Sequence, residues 1–137
     1  MINANTNLFC IFGNPVKHSL SPLIHNTAFT SIKQNSVYLA FEPESIGAGI
    51  HAMKSLSIKG ASVTIPFKID VMDHIDEIDP LAEKIGSVNT LQNDNGKITG
   101  FNTDGIGALL ALENNNIEVK SKTCLIIGNG GSARAIA

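Results

Sequence analysis

The sequence predicts an α/β fold. Residues 1–117 read as a three-layer α/β/α domain on a mostly parallel sheet with one antiparallel hairpin. Residues 118–137 read as a linker into the first strand and turn of a second α/β unit. Three observations carry this expectation. Short apolar runs at Leu8–Phe12, Val37–Phe41 and Gly60–Ile65 alternate with stretches of helical period, the order of a β-α-β-α-β plan. Asn93-Asp94-Asn95-Gly96 separates two later runs, and Asn-Gly between two strands is the strongest short hairpin signal. A final apolar run meets Gly128-Asn129-Gly130-Gly131 and then helical sequence.

Taken in order, Leu8–Phe12 is a continuous apolar run closed by Gly13, short enough for a strand buried on both faces. Gly13-Asn14-Pro15 is loop. Pro22 opens a helix at its first position with Ser21 as N-cap, and Ile24, Ala28 and Ile32 share one face. Val37–Phe41 is the second strand, ended at Pro43. Ser45 caps the next helix, whose apolar stripe is Ile46, Ile50, Met53 and Leu56. In the third strand Ala61, Val63 and Ile65 alternate with Ser62 and Thr64, and Pro66 sets its end at Ile65. A short helical segment runs through Val71 and Met72. Asp79 and Pro80 cap another that carries Leu81 and Ile85. Val88–Gln92 and Lys97–Phe101 form the hairpin. Asn102-Thr103-Asp104-Gly105 turns into a helix with Ile106, Leu109, Leu110 and Leu112, which ends at Asn114-Asn115-Asn116. Glu118–Lys122 is a polar linker, and Thr123–Ile127 is the strand of the second unit.

The bulk numbers exclude several classes. The 137 residues are 43% hydrophobic and 16% charged, which is globular rather than disordered. A net charge of -2 and the absence of any basic run longer than two residues argue against a nucleic-acid surface. No apolar run approaches the roughly 18 residues of a membrane span. The Met1-Ile2-Asn3-Ala4 start lacks the basic region of a signal peptide. Cys10 and Cys124 lie in apolar runs and read as reduced core residues, so a cytoplasmic protein is expected. His18, His25, His51 and His74 are scattered and make no metal-ligand pattern. The chain stops at Arg134-Ala135-Ile136-Ala137, inside a helical pattern without a C-cap, which reads as a fragment.

Chemistry concentrates at strand ends, where ligands bind in α/β folds. Lys68 lies one step past the end of the third strand, badly placed for core packing and well placed for chemistry. The alternative is a solvated surface lysine. Ser19 and Ser21 lie beyond the first strand; two hydroxyls two residues apart can share a cleft if the segment is extended, or Ser21 is only a helix cap. Asn89-Thr90 and Asn102-Thr103-Asp104 flank the hairpin and offer neutral amides and hydroxyls suited to a polyhydroxylated ligand. Asp104 is either a helix N-terminal charge or the partner of Lys68 in acid–base work. An aspartate beside a lysine favours the ammonium, which suits Lys68 to donating a proton to a carbonyl. The glycines at 128, 130 and 131, between strand and helix, match a dinucleotide pyrophosphate turn of Rossmann type, or an ordinary tight turn. Any residue choosing between NAD and NADP lies beyond Ala137.

Five motifs in order resemble the shikimate dehydrogenase family. They are Gly13-Asn14-Pro15-Val16-Lys17-His18-Ser19-Leu20-Ser21-Pro22, Gly60-Ala61-Ser62-Val63-Thr64-Ile65-Pro66-Phe67-Lys68, Gly86-Ser87-Val88-Asn89-Thr90-Leu91, Gly100-Phe101-Asn102-Thr103-Asp104-Gly105 and Gly128-Asn129-Gly130-Gly131. The resemblance implies an aminoacid dehydrogenase-like N-terminal domain followed by the start of an NADP-binding Rossmann domain. It also implies NADPH-dependent reversible reduction of 3-dehydroshikimate to shikimate, in aromatic amino acid biosynthesis. By position it gives Ser19 and Ser21 to the substrate carboxylate and Thr64, Asn89 and Asp104 to its ring hydroxyls. Lys68 becomes the acid–base group with Asp104 beside it. Gly128, Asn129, Gly130, Gly131, Ser132 and Ala133 cradle the cofactor.

The chain departs from the family pattern in three ways. Ser62 stands where the family commonly has asparagine, Asn129 replaces the usual alanine, and most of the cofactor domain is absent with the C-terminal segment that packs back in the family. The expectations are a catalytically inactive chain with an exposed apolar face, prone to self-association or homodimer formation. A quinate-preferring relative and a non-catalytic shikimate-binding regulatory module are the rival readings.

Overall fold

The computed structural model describes residues 2–137. In chain order the elements are β1 (Asn7–Phe12), α1 (Ser21–Ser31), β2 (Ser36–Phe41), α2 (Ile46–Ser55), β3 (Gly60–Val63), a 3-10 turn (Asp70–His74), β4 (Glu77–Ile78), α3 (Pro80–Ile85), β5 (Thr90–Asp94), β6 (Lys97–Phe101), α4 (Asp104–Asn114) and α5 (Gly131–Ile136). The six strands form one sheet in the order β2-β1-β3-β5-β6-β4. β1 runs parallel to β2 and β3, and β4 parallel to β6. Only β5 opposes its neighbours, antiparallel to both β3 and β6. The expected hairpin forms, but its first strand is Thr90–Asp94 rather than Val88–Gln92, because pairing continues up to the turn: Asp94 faces Lys97 across two residues with positive φ, Asn95 at 53° and Gly96 at 96°, the conformation that Asn-Gly supplies cheaply.

Side chains alternate across the sheet, and both faces are covered. Cys10, Phe12, Ala61, Val63 and Leu91 point to one side and pack with Ile46, Ile50 and Met53 of α2. Phe9, Ile11 and Tyr38 point to the other, against Phe29 of α1. The three-layer arrangement follows from this division. Ser45 accepts a bond from the Ala48 amide at 3.2 Å, and Asp79 accepts from Leu81 at 2.9 Å, so two of the three caps read from the sequence are made.

Several local expectations are corrected. Ser21 is the first residue of α1 and not its cap; the cap position is Leu20, which has no side-chain bond to give. The inward face of α1 is His25, Asn26 and Phe29, while Ile24 and Ile32 of the expected stripe are exposed. Asn26 decides the rotation: its amide donates to the Tyr38 carbonyl (2.8 Å) and accepts from the Tyr38 amide (2.9 Å), tying α1 to β2. β3 ends at Val63 rather than Ile65. The Thr64 amide still reaches the Phe12 carbonyl, but the chain then closes a turn with Phe67 N–H donating to Thr64 O at 2.9 Å, across a cis Ile65–Pro66 bond. β4 has no signal in the sequence; two residues carry no period, and they are a strand only through pairing with Thr99 and Gly100. Thr123–Ile127 forms no ladder with the described residues, and Leu125 and Ile127 stand exposed. An apolar run becomes a strand only where an edge receives it. Cys124 is therefore exposed and not core, whereas Cys10 is fully buried; both are free thiols.

Candidate functional site

The carboxyl ends of β1 and β3 bring two loops together. Gly13 lies so close to Thr64 that a Cβ there would overlap the threonine methyl group, and the Asn14 amide donates to the Ile65 carbonyl at 3.0 Å. Both loops contain a cis proline bond, Asn14–Pro15 and Ile65–Pro66. The first loop continues to Ser19, whose hydroxyl accepts from the Ser21 amide (3.2 Å) and donates to the Ser21 hydroxyl (3.1 Å). The second passes Phe67, buried under the sheet end, and delivers Lys68. The Lys68 backbone is held by the Val88 amide at 2.8 Å, so the side chain starts from a fixed point.

Lys68 Nζ meets Asp104 Oδ2 at 2.5 Å, with the lysine side chain 16% and the aspartate 23% exposed. Asn89 Nδ2 donates to the other carboxylate oxygen at 2.6 Å. Asn89 Oδ1 accepts from the Thr103 amide at 3.0 Å and from the Thr90 hydroxyl at 2.8 Å, which orients the amide group. Burial opposes ionisation of Asp104, but the bonds from Lys68 and Asn89 and the lysine charge outweigh it and hold its pKa below the ordinary carboxylate value. The pair is thus a carboxylate and an amine in contact at a sheet end, able to hold and pass a proton to an oxygen placed against them.

The predicted site residues fall into three groups. Lys68, Asn89 and Asp104 are joined by direct bonds. Ser19 and Ser21 bond to each other and reach the first group only through the shared loops and Thr64. Thr64 follows β3 directly and is half-buried on the side that Ser62 also lines. The glycine turn forms a third group. Gly128 has a φ of 131°, open to glycine alone, and nothing of the protein approaches Gly128 or Gly130 where a side chain would be. That open backbone before a helix fits a pyrophosphate, with Asn129 and Ala133 beside it. Gly131 is different: a Cβ there would run into the Ser87 hydroxyl, so its missing side chain lets α5 seat against the core. Gly105 does the same from α4, where a Cβ would strike the Ala135 carbonyl.

Two residues that the sequence offered to a ligand take other roles in the structure. Asn102 is buried and spans two bonds, its amide donating to the Ser87 carbonyl (2.9 Å) and its oxygen accepting from the Asp104 amide (3.0 Å). Its place two residues before Asp104, in a turn at a helix start, was the available signal. Ser132, expected at the cofactor, instead bonds Lys68 Nζ at 3.1 Å and Asp104 Oδ2 at 3.2 Å. Among the described residues, no group of three or more His, Cys, Asp or Glu side chains is placed to hold a metal ion.

Residues 11–91, which hold the serine loop, β3, Lys68 and Asn89, match the model of the shikimate dehydrogenase substrate binding domain. The chain belongs to that family. A shikimate dehydrogenase (NADP(+)) of Methanocaldococcus jannaschii is 50% identical over 139 residues, covering 100% of this chain and 49% of the relative. One of Bacillus cereus is 47% identical, covering 94% of this chain and 48% of the relative. The chain thus spans about half the length of the curated relatives it matches. Among solved structures, a shikimate dehydrogenase in complex with NADP+ superposes with a TM-score of 0.95 at 49% identity, over 99% of this chain and 48% of the other. The Thermus thermophilus enzyme in complex with shikimate superposes at 0.92 with 35% identity, over 96% and 51%. No helix of the described residues is long and apolar enough to cross a membrane.

Proposed function

We propose that this chain is the substrate-binding part of an NADP-dependent shikimate dehydrogenase. The whole enzyme would interconvert 3-dehydroshikimate and shikimate in the cytoplasm, on the route to aromatic amino acids. The observation that carries the reading is the Lys68–Asp104 contact, braced by Asn89 at the sheet end, in a chain of this family. A module that only senses a ligand needs a pocket but no acid–base pair.

In this reading the Ser19 and Ser21 hydroxyls receive the substrate carboxylate. Thr64, Asn89 and Asp104 bind the ring hydroxyls, and their fixed orientation rejects analogues lacking a partner group. During reduction Lys68 gives its proton to the carbonyl oxygen as that oxygen gains charge; in the reverse direction it takes the proton back, with the Asp104 carboxylate balancing the ammonium. NADPH, when bound, supplies the hydride. Gly128, Asn129 and Gly130 would hold its pyrophosphate through the open glycine backbone, and residues 118–137 would open the cofactor domain. Alone, the chain binds substrate without turning it over.

The test is ligand binding with named variants. Calorimetric titration of the 137-residue chain with shikimate should give saturable binding that Thr64→Ala and Asp104→Ala each weaken about tenfold, the scale of a lost hydrogen bond to a charged or buried group. Tighter binding of quinate would move the reading to a quinate-preferring relative. Binding of neither by the folded chain would refute it.

A further inference from the structure

β3 presents one more polar side chain on the face that bears Thr64. Ser62 lies two residues earlier, so both project from the same side of the sheet. Ser62 is half-buried and lines a cleft of about 330 Å³ against the α1 face, beside Phe9, His25, Tyr38 and Thr90. Its hydroxyl accepts a bond from the Tyr38 hydroxyl at 2.6 Å. The donor is firmly held. Tyr38 is 3% exposed, its backbone is clamped on both sides by Asn26, and the His25 ring lies flat on it at 4.2 Å and 11°. Burial raises the phenol above its ordinary pKa, so it remains a donor through the neutral range.

A serine hydroxyl has one proton to give and two lone pairs to fill. A phenol is the stronger acid of the two, so Tyr38 donates and Ser62 accepts. The Ser62 proton then has no partner among the described residues, and the bond from Tyr38 excludes it from one of its three staggered positions and leaves it two. We propose that Tyr38 is a positioning residue of the substrate site: it turns the Ser62 hydroxyl into an oriented donor for an oxygen of the polyhydroxylated ligand beside Thr64. This rests on the shikimate-binding reading above and adds to it a residue outside the motif that carries Lys68. It also gives the asparagine-to-serine departure at position 62 a physical content, since a short hydroxyl needs a second group to aim it where a planar amide has a fixed geometry.

The chain has one tyrosine and no tryptophan, so its intrinsic fluorescence reports on Tyr38 alone. Shikimate should change that emission on binding to the parent chain. Tyr38→Phe, which keeps the ring, should weaken binding about fivefold, as should Ser62→Ala, each being the loss of one hydrogen bond's effect. The double variant should be no weaker than either single one, because both remove the same donor. Ser62→Thr, which keeps the hydroxyl, should bind nearly as the parent does. Thermal melting of each variant separates a folding defect from a binding one. In Ser62→Ala, which retains the tyrosine, the emission response to shikimate should fall at saturation. Parent-like affinity of folded Tyr38→Phe, or losses that multiply in the double variant, would overturn the proposal while leaving shikimate binding intact. Absence of shikimate binding by the folded parent would overturn the functional reading and this inference together.

Discussion

Between Cys10 and Asn102 the chain closes a core: Cys10, Phe12, Ile46, Met53, Val71, Ala82 and Ile98 are all buried. Beyond Asn102 nothing is buried, and the apolar side chains of Ile106, Leu110, Leu125 and Ile127 stand in solvent. The candidate site straddles this divide. Lys68 and Asn89 belong to the packed region, whereas Asp104 is the first residue of α4. What fixes Asp104 is not the packing of its helix but bonds reaching back across the boundary, from Lys68, Asn89 and Asn102. A carboxylate can therefore be held accurately at the start of a helix that is itself poorly covered. The polar network does the positioning, and the core supplies its fixed ends.

The sharpest contrast should come from the two cysteines. Cys124 is exposed, while burial pushes the Cys10 thiol up to about 12 and closes it to reagents. Treating the native chain with a thiol reagent should modify one cysteine at once and the other only on unfolding. Rapid reaction at both would show that the core opens freely. Stability should divide along the same line. Phe12→Ala in the core is expected to cost about 3–5 kcal/mol in chemical denaturation, from lost transfer energy and the cavity left behind. Leu110→Ala, on the exposed face of α4, should change stability by less than about 0.5 kcal/mol. Comparable losses from both would mean that α4 contributes to the core after all.

Asn102→Ala probes the crossing itself. Removing the side chain leaves the Ser87 carbonyl and the Asp104 amide without their partner, and the expected cost is about 1–3 kcal/mol. Shikimate affinity should fall with it, because Asp104 loses an anchor; unchanged affinity would show that Asn89 and Lys68 suffice. The smallest effect concerns acid. Asp104 has a folded pKa below its unfolded value, so its stabilising contribution is complete above the ordinary aspartate pKa of about 3.9 and is lost as pH falls through the lower folded value. Denaturation midpoints of the parent and Asp104→Asn chains should differ at pH 6 and converge in that acid window. A difference that persisted at lower pH would assign the effect to something other than the carboxylate charge.

Legibility in the sequence followed the same boundary. The hairpin was readable because Asn95 and Gly96 both need positive φ, and only a few residue types supply it. Lys68 and Asp104 were readable because strand ends and helix starts have local signals. The rotation of α1 was not: Ile24, Ala28 and Ile32 form the better apolar stripe, yet Asn26 bonding the Tyr38 backbone turns His25 and Phe29 inward. A helix that buries no residue fully has little hydrophobic reason to prefer one face. Thr123–Ile127 has the composition of a strand, but pattern describes a segment and cannot supply its neighbour. Ser132 was placed by motif at the cofactor; its bonds to Lys68 and Asp104 depend on the close approach that Gly105 and Gly131 permit, which is a tertiary fact.

The most direct test of the account is amide NMR of the 137-residue chain during titration with shikimate. The prediction is saturable shifts concentrated at Ser19, Ser21, Thr64, Lys68, Asn89 and Asp104, spanning both sides of the boundary, and reached only at higher shikimate concentration in Asp104→Ala with the fold unchanged. A dispersed, folded spectrum with no shifts at these residues, or with shifts confined to another face of the sheet, would contradict it.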